Sequence, residues 1–218
     1  MHPGMHTGRH RKMSESGVKS RDLPFKGKNW NGLALQLLPG KNQSRKCEFN
    51  MCGICAVYRY HRDEGDQTGA WINSLTRAIA HRGPDDQGTY VSEKVQMGIS
   101  RLAIVDVHHG QQPLTNEDGG LLLVGNGEIY NHQALRESLV QKGHQFRTGS
   151  DFEVILHLYE DEGISCLSSL AGMFAFILWD ARTGQMIAAR DRIGIKPLYY
   201  YENDTSIVFC SELTALIK

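Results

Sequence analysis

The spacing of apolar and polar positions changes along the chain, and after about residue 51 it predicts distinct strands and helices. Five runs rich in β-branched and aromatic residues and separated by turn residues predict strands: GICAVYRY, GMFAFILWD, QMIAARD, KPLYYYE and SIVFCSE. GTYVSEKVQMGISRLAIVD predicts strands around a turn, and HRGPDDQG predicts a loop. LLLVGNGEIYN predicts a strand pair interrupted at residues 125–127, where Gly-Asn-Gly favours a turn.

Three other segments carry apolar residues at helical spacing. In residues 70–80 the apolar positions are Trp71, Ile72, Leu75, Ala78 and Ile79. HQALRESLVQKG predicts a helix that ends at Gly143. SDFEVILHLYEDEG predicts a helix capped by Ser150 or Asp151 and ended by Gly163. Runs of strands with helices grouped between them predict an α+β layered fold and not alternating βαβ units.

Residues 1–50 differ from the rest of the chain in their charge and in their polar, aperiodic composition. They hold ten Lys or Arg against three Asp or Glu, whereas residues 51–218 hold fourteen against twenty-one. The basic, polar and aperiodic composition predicts a disordered extension. A transit peptide, a propeptide that is removed, and upstream sequence that is not translated all remain open. We favour the last, with Met51 as the true start.

The overall composition excludes several classes of protein. The chain has 218 residues, enough for one substantial core, with 40% hydrophobic and 22% charged residues. Mean hydropathy is −0.38 and no apolar run approaches the ~18 residues of a membrane span, so we expect no membrane partner. Net charge is zero, which gives no indication of nucleic-acid binding. Five cysteines without a secretory signal indicate a reducing compartment, the cytoplasm, and no disulfide framework.

Cys52 and Cys55 form a CxxC pair that permits more than one chemistry. A zinc site requires four ligands, and the sequence has neither a second pair nor a close histidine pair at finger spacing. A redox pair of the thioredoxin type precedes a helix, whereas Cys55 is followed by a predicted strand. A cysteine at a chain terminus carries its own base, an α-amine with a pKa of about 7.7–8.0. A small buried hydrophobe remains the structural alternative for Cys52.

Nine motifs in order resemble one family. They are MCGICAVY, HRGPDDQG, RLAIVD, QPL, NGEIYNH, GSDFEVILHLYE, GMFAFILWD, ARDRIGIKPLYY and SELTAL. Together they resemble the N-terminal glutaminase domain of glutamine-dependent asparagine synthetases, a class II glutamine amidotransferase among the N-terminal nucleophile hydrolases. The resemblance covers residues 51–218. It implies a four-layer αββα sandwich of two antiparallel sheets.

The resemblance also implies the catalytic residues. Cys52 would attack the side-chain amide carbon of glutamine, release ammonia and leave a thioester that water hydrolyses to glutamate. The side-chain amide of Asn126 and the backbone N–H of Gly127 would stabilise the oxyanion, a contribution worth roughly 3–4 kcal/mol for each donor. No metal ligand is implied.

Three further residues are assigned by the resemblance to bind the glutamine backbone. Arg101 would hold the α-carboxylate with its planar fork. Glu128 and Asp151 would accept hydrogen bonds from the α-ammonium group. Residues 81–85 resemble the loop that covers the site in the family.

The resemblance implies partners that these 218 residues do not include. The predicted layout is an extension or mis-assigned start at 1–51 and a class II glutamine amidotransferase domain at 52–218. The ammonia would serve an ATP-dependent synthetase domain that amidates aspartate, but no Ser-Gly-Gly-x-Asp-Ser loop is present. The chain would then be a truncated product, a separate domain, or half of a split enzyme. The glutaminase half requires no cofactor, and ATP and Mg²⁺ belong to the synthetase domain.

Two alternatives to an active glutaminase stay open. One is a non-catalytic glutamine-binding or regulatory module, because the extension leaves Cys52 without a terminal amine. The other is a CxxC zinc or redox module.

The purified chain is predicted to form no asparagine, and at most glutamate and ammonia from glutamine, because the sequence lacks a pyrophosphate loop to activate aspartate. The measurement is product analysis after incubation with glutamine, aspartate and ATP. Asparagine formed by this chain alone would contradict the prediction.

Overall fold

The computed structural model describes residues 51–61 and 68–217. The predictions made for residues 1–50 lie outside the described residues.

The first sheet contains five antiparallel strands. They are β1 (Gly53–Arg59), β2 (Asp86–Val91), β3 (Val95–Arg101), β8 (Tyr199–Glu202) and β9 (Ser206–Cys210). Their order across the sheet is β2-β3-β1-β9-β8. The central strand β1 pairs with β3 and β9, so Cys55 lies opposite Gly98 on one side and Cys210 on the other. The strands predicted around the CxxC pair and at the chain end are therefore confirmed.

The second sheet contains four antiparallel strands in the order β4-β5-β6-β7. They are β4 (Leu114–Thr115), β5 (Leu121–Ile129), β6 (Gly172–Asp180) and β7 (Gln185–Arg190).

The predicted interruption at residues 125–127 is wrong, because β5 is continuous through them. Asn126 pairs with Ala175 and Gly127 with Phe174 of β6. The two glycines permit close packing and do not form a turn. A Cβ atom at Gly125 would lie 2.3 Å from the Phe152 ring, and one at Gly127 would lie 1.9 Å from the Met173 carbonyl oxygen.

The described part of the chain also contains four α-helices. They are α1 (Ala70–Ala78), α2 (His132–Gln141), α3 (Glu153–Glu162) and α4 (Leu213–Leu216). 3₁₀ helices follow α1 at Ala80–Arg82 and α3 at Gly163–Ser168. Gly143 and Gly163 have positive φ values of 104° and 57°, as the helix-ending positions require. The loop predicted for HRGPDDQG is shorter than expected because β2 already begins at Asp86.

Apolar residues from both sheets form the central layer. The first sheet contributes Ile54, Ala56, Val95, Met97 and Ile99, and the second contributes Leu122, Val124, Ala175, Ile177 and Trp179. The outer face of the first sheet packs on α1 and α4, and that of the second packs on α2 and α3. The predicted αββα sandwich is thereby confirmed. Across residues 51–61 and 68–217, no helix has the length and apolarity that crossing a bilayer requires.

Ile177→Ala is predicted to lower the free energy of unfolding by about 2–5 kcal/mol, because Ile177 is fully buried between the sheets and truncation leaves a cavity. Urea denaturation of the purified chain measures the change. Val140→Ala is the matched control, since Val140 is 54% exposed on α2 and its truncation should change stability by less than about 0.5 kcal/mol. Equal effects of the two substitutions would contradict the assigned core.

Candidate active site

All six residues that the sequence predicts for the site line one open cleft of about 550 Å³. They come from four segments: the residue before β1, the end of β3, the second half of β5 and the segment before α3. In chain order they are Cys52, Arg101, Asn126, Gly127, Glu128 and Asp151.

The Cys52 side chain is half-buried and contacts the backbone at the end of β3. The Leu102 N–H donates to Cys52 Sγ at 3.3 Å, and the thiol lies 3.5 Å from the Leu102 carbonyl oxygen. Behind it, Arg82 Nε donates to the Cys52 carbonyl at 3.2 Å, and Arg82 is in turn paired with Glu212 at 3.1 Å. The chain end SELTAL therefore supports the backbone that carries the thiol.

The electrostatics of the site keep the thiol protonated at neutral pH. Burial raises the pKa of the Cys52 thiol above its ordinary value, because a buried thiolate loses hydration. The Leu102 N–H and the positive charges of Arg101 and Lys196 act in the opposite direction without outweighing burial. No histidine is among the described residues that line the cleft. A reaction at this thiol therefore requires another base.

Cys55, the second cysteine of the CxxC pair, has a different environment. It is fully buried in β1, and its Sγ contacts Thr76 Oγ1 at 3.5 Å and the Gly98 carbonyl oxygen at 3.6 Å. Burial raises the pKa of its thiol strongly. Cys55 is therefore a packed strand residue and does not line the cleft.

Asn126 presents a buried side-chain NH₂ group that is unpaired among the described residues. The residue is 2% exposed, and its Nδ2 has no hydrogen-bond partner among the described residues. Such a buried, unpaired donor is costly unless a ligand pairs with it. The neighbouring Gly125 is fixed by the Gln112 side chain, whose Oε1 accepts the Gly125 N–H at 2.6 Å. No local pattern of residues indicated Gln112, because this contact spans thirteen residues.

Arg101 is buried, and its guanidinium orders the loop that follows β3. It donates to the carbonyl oxygens of Val105, Asp106 and Val107 at 3.0, 2.8 and 3.4 Å. This loop forms one wall of the cleft. The predicted role of Arg101 in binding a carboxylate stays a prediction, and the structure adds the ordering of this wall.

Asp151 faces β5. The predicted cap of α3 by Ser150 or Asp151 is wrong, because the helix has no side-chain cap hydrogen bond. Asp151 Oδ2 accepts the Ile129 N–H at 2.7 Å, whereas Ser150 Oγ accepts the Phe152 N–H at 3.3 Å. Burial raises the pKa of the Asp151 carboxyl, and the nearby Glu128 carboxylate acts in the same direction. Two acidic side chains therefore border the same part of the cleft, an arrangement that favours a cation.

Lys196 also lines the cleft, although the sequence assigned it no role. It is 6% exposed, and its Nζ lies 3.1 Å from Met51 Sδ. The Asp191 carboxylate holds its loop by accepting the N–H groups of Ile195 and Lys196 at 2.8 and 3.0 Å.

Residues 81–85, expected to cover the site, do not line the cleft. His81 Nε2 contacts Glu212 at 2.8 Å, and Asp85 Oδ2 accepts the Ala103 N–H at 2.9 Å. In this structure the segment supports the walls of the cleft from outside.

The cleft and the two-sheet sandwich together indicate one class of protein. Comparison with known proteins shows which class it is. The family model "Glutamine amidotransferase domain" matches residues 51–218, and the chain belongs to this family. Asparagine synthetase [glutamine-hydrolyzing] 3 of Arabidopsis thaliana is 52% identical over 167 residues, which are 76% of this chain and 28% of that protein. Asparagine synthetase [glutamine-hydrolyzing] 2 of Bacillus subtilis is 40% identical over 169 residues, 77% of this chain and 22% of that protein.

A solved structure shares the fold at lower identity. Glutamine phosphoribosylpyrophosphate amidotransferase from B. subtilis is 26% identical, with a TM-score of 0.61 over 76% of this chain and 43% of that chain. The chain spans less than a third of the two asparagine synthetases that it matches.

Asp191→Asn is predicted to destabilise the domain at pH 7 by about 1–3 kcal/mol, because an amide oxygen cannot replace both carboxylate acceptors. Backbone N–H donors hold the pKa of Asp191 below its usual value against the effect of burial. The stabilisation is therefore fully present above the unfolded-state pKa of about 3.9 and is lost as the pH falls through the folded-state pKa. Urea denaturation of both proteins at pH 7 and near pH 3 measures it, and a difference that does not shrink in acid would contradict the assignment.

Proposed function

We propose that this domain hydrolyses glutamine to glutamate and ammonia through a thioester on Cys52. One observation carries the proposal: Cys52 shares its cleft with Asn126, whose buried Nδ2 has no hydrogen-bond partner among the described residues. A donor left unpaired beside a nucleophile is what a developing oxyanion requires.

Because the Cys52 thiol is protonated, the reaction begins with the removal of its proton. The α-amine of Cys52, once free, takes the thiol proton, and the sulfur attacks the amide carbon of glutamine. The oxyanion of the tetrahedral intermediate accepts hydrogen bonds from the Asn126 side chain and the Gly127 N–H. The amine returns the proton to the leaving nitrogen, which departs as ammonia. Water then attacks the thioester, releases glutamate and restores the thiol.

The charged residues of the cleft suit the two ends of a free amino acid. Arg101 supplies positive charge for the α-carboxylate. Glu128 and Asp151 supply acceptors for the α-ammonium group. The raised pKa of Asp151 fits a buried carboxylate that gains a cationic partner when the substrate binds.

Activity is proposed to require a chain that begins at Cys52. In the chain that retains residues 1–51, the Cys52 nitrogen belongs to a peptide bond with Met51, whose own N–H donates to the Arg82 carbonyl at 2.9 Å. Initiation at Met51 followed by removal of that methionine would produce the free amine. The domain layout with residues 1–51 as an extension is part of the same proposal.

The ammonia is proposed to pass to an ATP- and Mg²⁺-dependent synthetase domain that amidates aspartate. The support is the naming of the relatives as glutamine-hydrolysing asparagine synthetases. We place this activity in the cytoplasm, since the four described cysteines are all free thiols.

A glutamine-binding module without catalysis is the second candidate. It is favoured by the position of Met51, which lines the cleft and keeps the Cys52 nitrogen acylated. Such a module would bind glutamine and leave it intact.

The chain that begins at Cys52 is predicted to turn over glutamine, and Asn126→Ala is predicted to lower its kcat by about 100- to 1,000-fold through loss of an oxyanion donor. Cys52→Ala should abolish glutamate formation while glutamine binding persists in calorimetry. Cys55→Ala, which removes the thiol three positions along, is the matched control and should retain turnover.

The comparison with the full chain separates the two candidates. Turnover by the Cys52→Ala variant, or equal turnover by chains with and without residues 1–51, would contradict the mechanism. Glutamine binding without hydrolysis by the chain beginning at Cys52 would favour the binding module.

A further inference from the structure

Two histidines and several carboxylates meet at a cluster outside the cleft. Glu117 lies between β4 and β5, His144 follows α2, and His157 lies on α3. Each of the three offers a ligand atom, and these atoms all lie within 4.8 Å of one another. None of the three lines the cleft that contains Cys52.

The separations within the cluster suit a small tetrahedral ion. His157 Nδ1 lies 3.6 Å from Glu117 Oε2 and 3.1 Å from Glu160 Oε2, and His144 Nδ1 lies 3.6 Å from Glu160 Oε2. Ligand atoms about 2.0–2.1 Å from a tetrahedral zinc ion lie about 3.3–3.4 Å from one another. Three of the six separations among Glu117, His144, His157 and Glu160 are therefore close to the spacing of zinc ligands.

The second observation is the other ring nitrogen of His157. The residue is fully buried, and its Nε2 has no hydrogen-bond partner in the described part of the chain. The nearest carboxylate oxygen to Nε2 is Glu153 Oε1, at 3.9 Å. With Nδ1 bound to a metal, the proton would reside on Nε2 and point towards Glu153, the carboxylate–histidine–metal arrangement of protein zinc sites.

Glu153 is well placed to orient the ring. It is 1% exposed and accepts the backbone N–H groups of Arg147 and Thr148 at 2.6 and 2.8 Å. The Thr148 hydroxyl adds a third bond at 2.6 Å. The carboxylate is therefore held in place on the side of His157 away from Glu117 and Glu160.

The charge balance of the cluster also favours a cation. Carboxylate oxygens of Glu117, Glu153 and Glu160 all lie within 3.9 Å of the His157 ring nitrogens. Arg136, 3.9 Å from Glu153, and Arg182, 3.8 Å from Glu160, offset part of this negative charge, and a divalent cation would reduce it by two more. Glu117 and His144 have side chains 35% and 16% exposed, which gives an ion access from solvent.

We propose that Glu117, His144 and His157, with Glu160 as the fourth ligand, bind one Zn²⁺ ion. Mixed imidazole and carboxylate ligands suit zinc, whereas Mg²⁺ and Ca²⁺ prefer oxygen ligands alone. The ion would join the β4–β5 connection, the α2–α3 connection and helix α3. The α2–α3 connection carries Ser150 and Asp151 into the cleft, so the ion would brace one wall of the site.

Calorimetric titration of the chelator-stripped full chain with Zn²⁺ under reducing conditions tests the proposal. The starting protein carries His2→Gln, His6→Gln and His10→Gln, so that these three histidines cannot supply ligands. We expect one bound equivalent. Glu117→Gln and His144→Gln should each weaken binding by at least about 100-fold, beyond the 10- to 100-fold loss typical of an outer-shell partner. His108→Gln, an exposed histidine elsewhere, is the matched control and should not change affinity.

Two further measurements make the result independent of folding. Circular dichroism and melting of the metal-free variants must match those of the starting protein, and zinc should raise the melting temperature of the starting protein but not of the variants. X-ray absorption at the zinc edge should show imidazole in a nitrogen and oxygen shell at about 2.0–2.1 Å. Sulfur at about 2.3 Å, affinities unchanged by both substitutions, or no binding at 100-fold molar excess of zinc would overturn the proposal.

Discussion

The uninterrupted pairing of β5 with β6 is the constraint on which the rest of the structure depends. Nine residue pairs join the two strands, from Leu121 opposite Asp180 to Ile129 opposite Gly172. One face of this pair contributes to the layer between the sheets, and the other packs under α2 and α3. The same strand carries Asn126, Gly127 and Glu128 into the cleft. Glycine at 125 and 127 allows a ring and a carbonyl oxygen to approach the strand more closely than any side chain would permit.

Carboxylates that accept backbone N–H groups hold the walls of the cleft. Asp151 binds the Ile129 N–H, Asp106 binds the Gly149 N–H at 2.6 Å, and Asp191 binds two N–H groups of its own loop. The Asp151 and Asp106 contacts join segments that are distant in the chain, and the Asp191 contacts order a single loop. The cleft is therefore ordered before a substrate arrives. Charge-assisted bonds of this kind are shorter and stronger than those between neutral groups.

The environment of Cys52 makes the proposed reaction depend on whether the nitrogen of this residue is a free amine. A half-buried thiol with a raised pKa is a poor nucleophile on its own, and the cleft provides no imidazole among its described lining residues. In the proposed mechanism, the α-amine bonded to the same Cα atom is the base, and no separate side chain has to be ordered for this role. Under the proposed mechanism, a chain that retains Met51 is folded but inactive, because its Cys52 nitrogen is not a free amine.

The sequence by itself determined most of the strands and helices, because their signals are local. The ends of α2 and α3 followed from Gly143 and Gly163, and the order of motifs identified the family and the sandwich. Only the tertiary structure decided features that depend on pairing between distant segments. One is the continuity of β5, where pairing with β6 replaces the turn that Gly-Asn-Gly predicts. Another is the hydrogen bond from the Ile129 N–H to Asp151, which takes the place of the predicted helix cap. The meeting of Glu117, His144 and His157 belongs with them, since no spacing in the chain brings three separate segments within 4.8 Å.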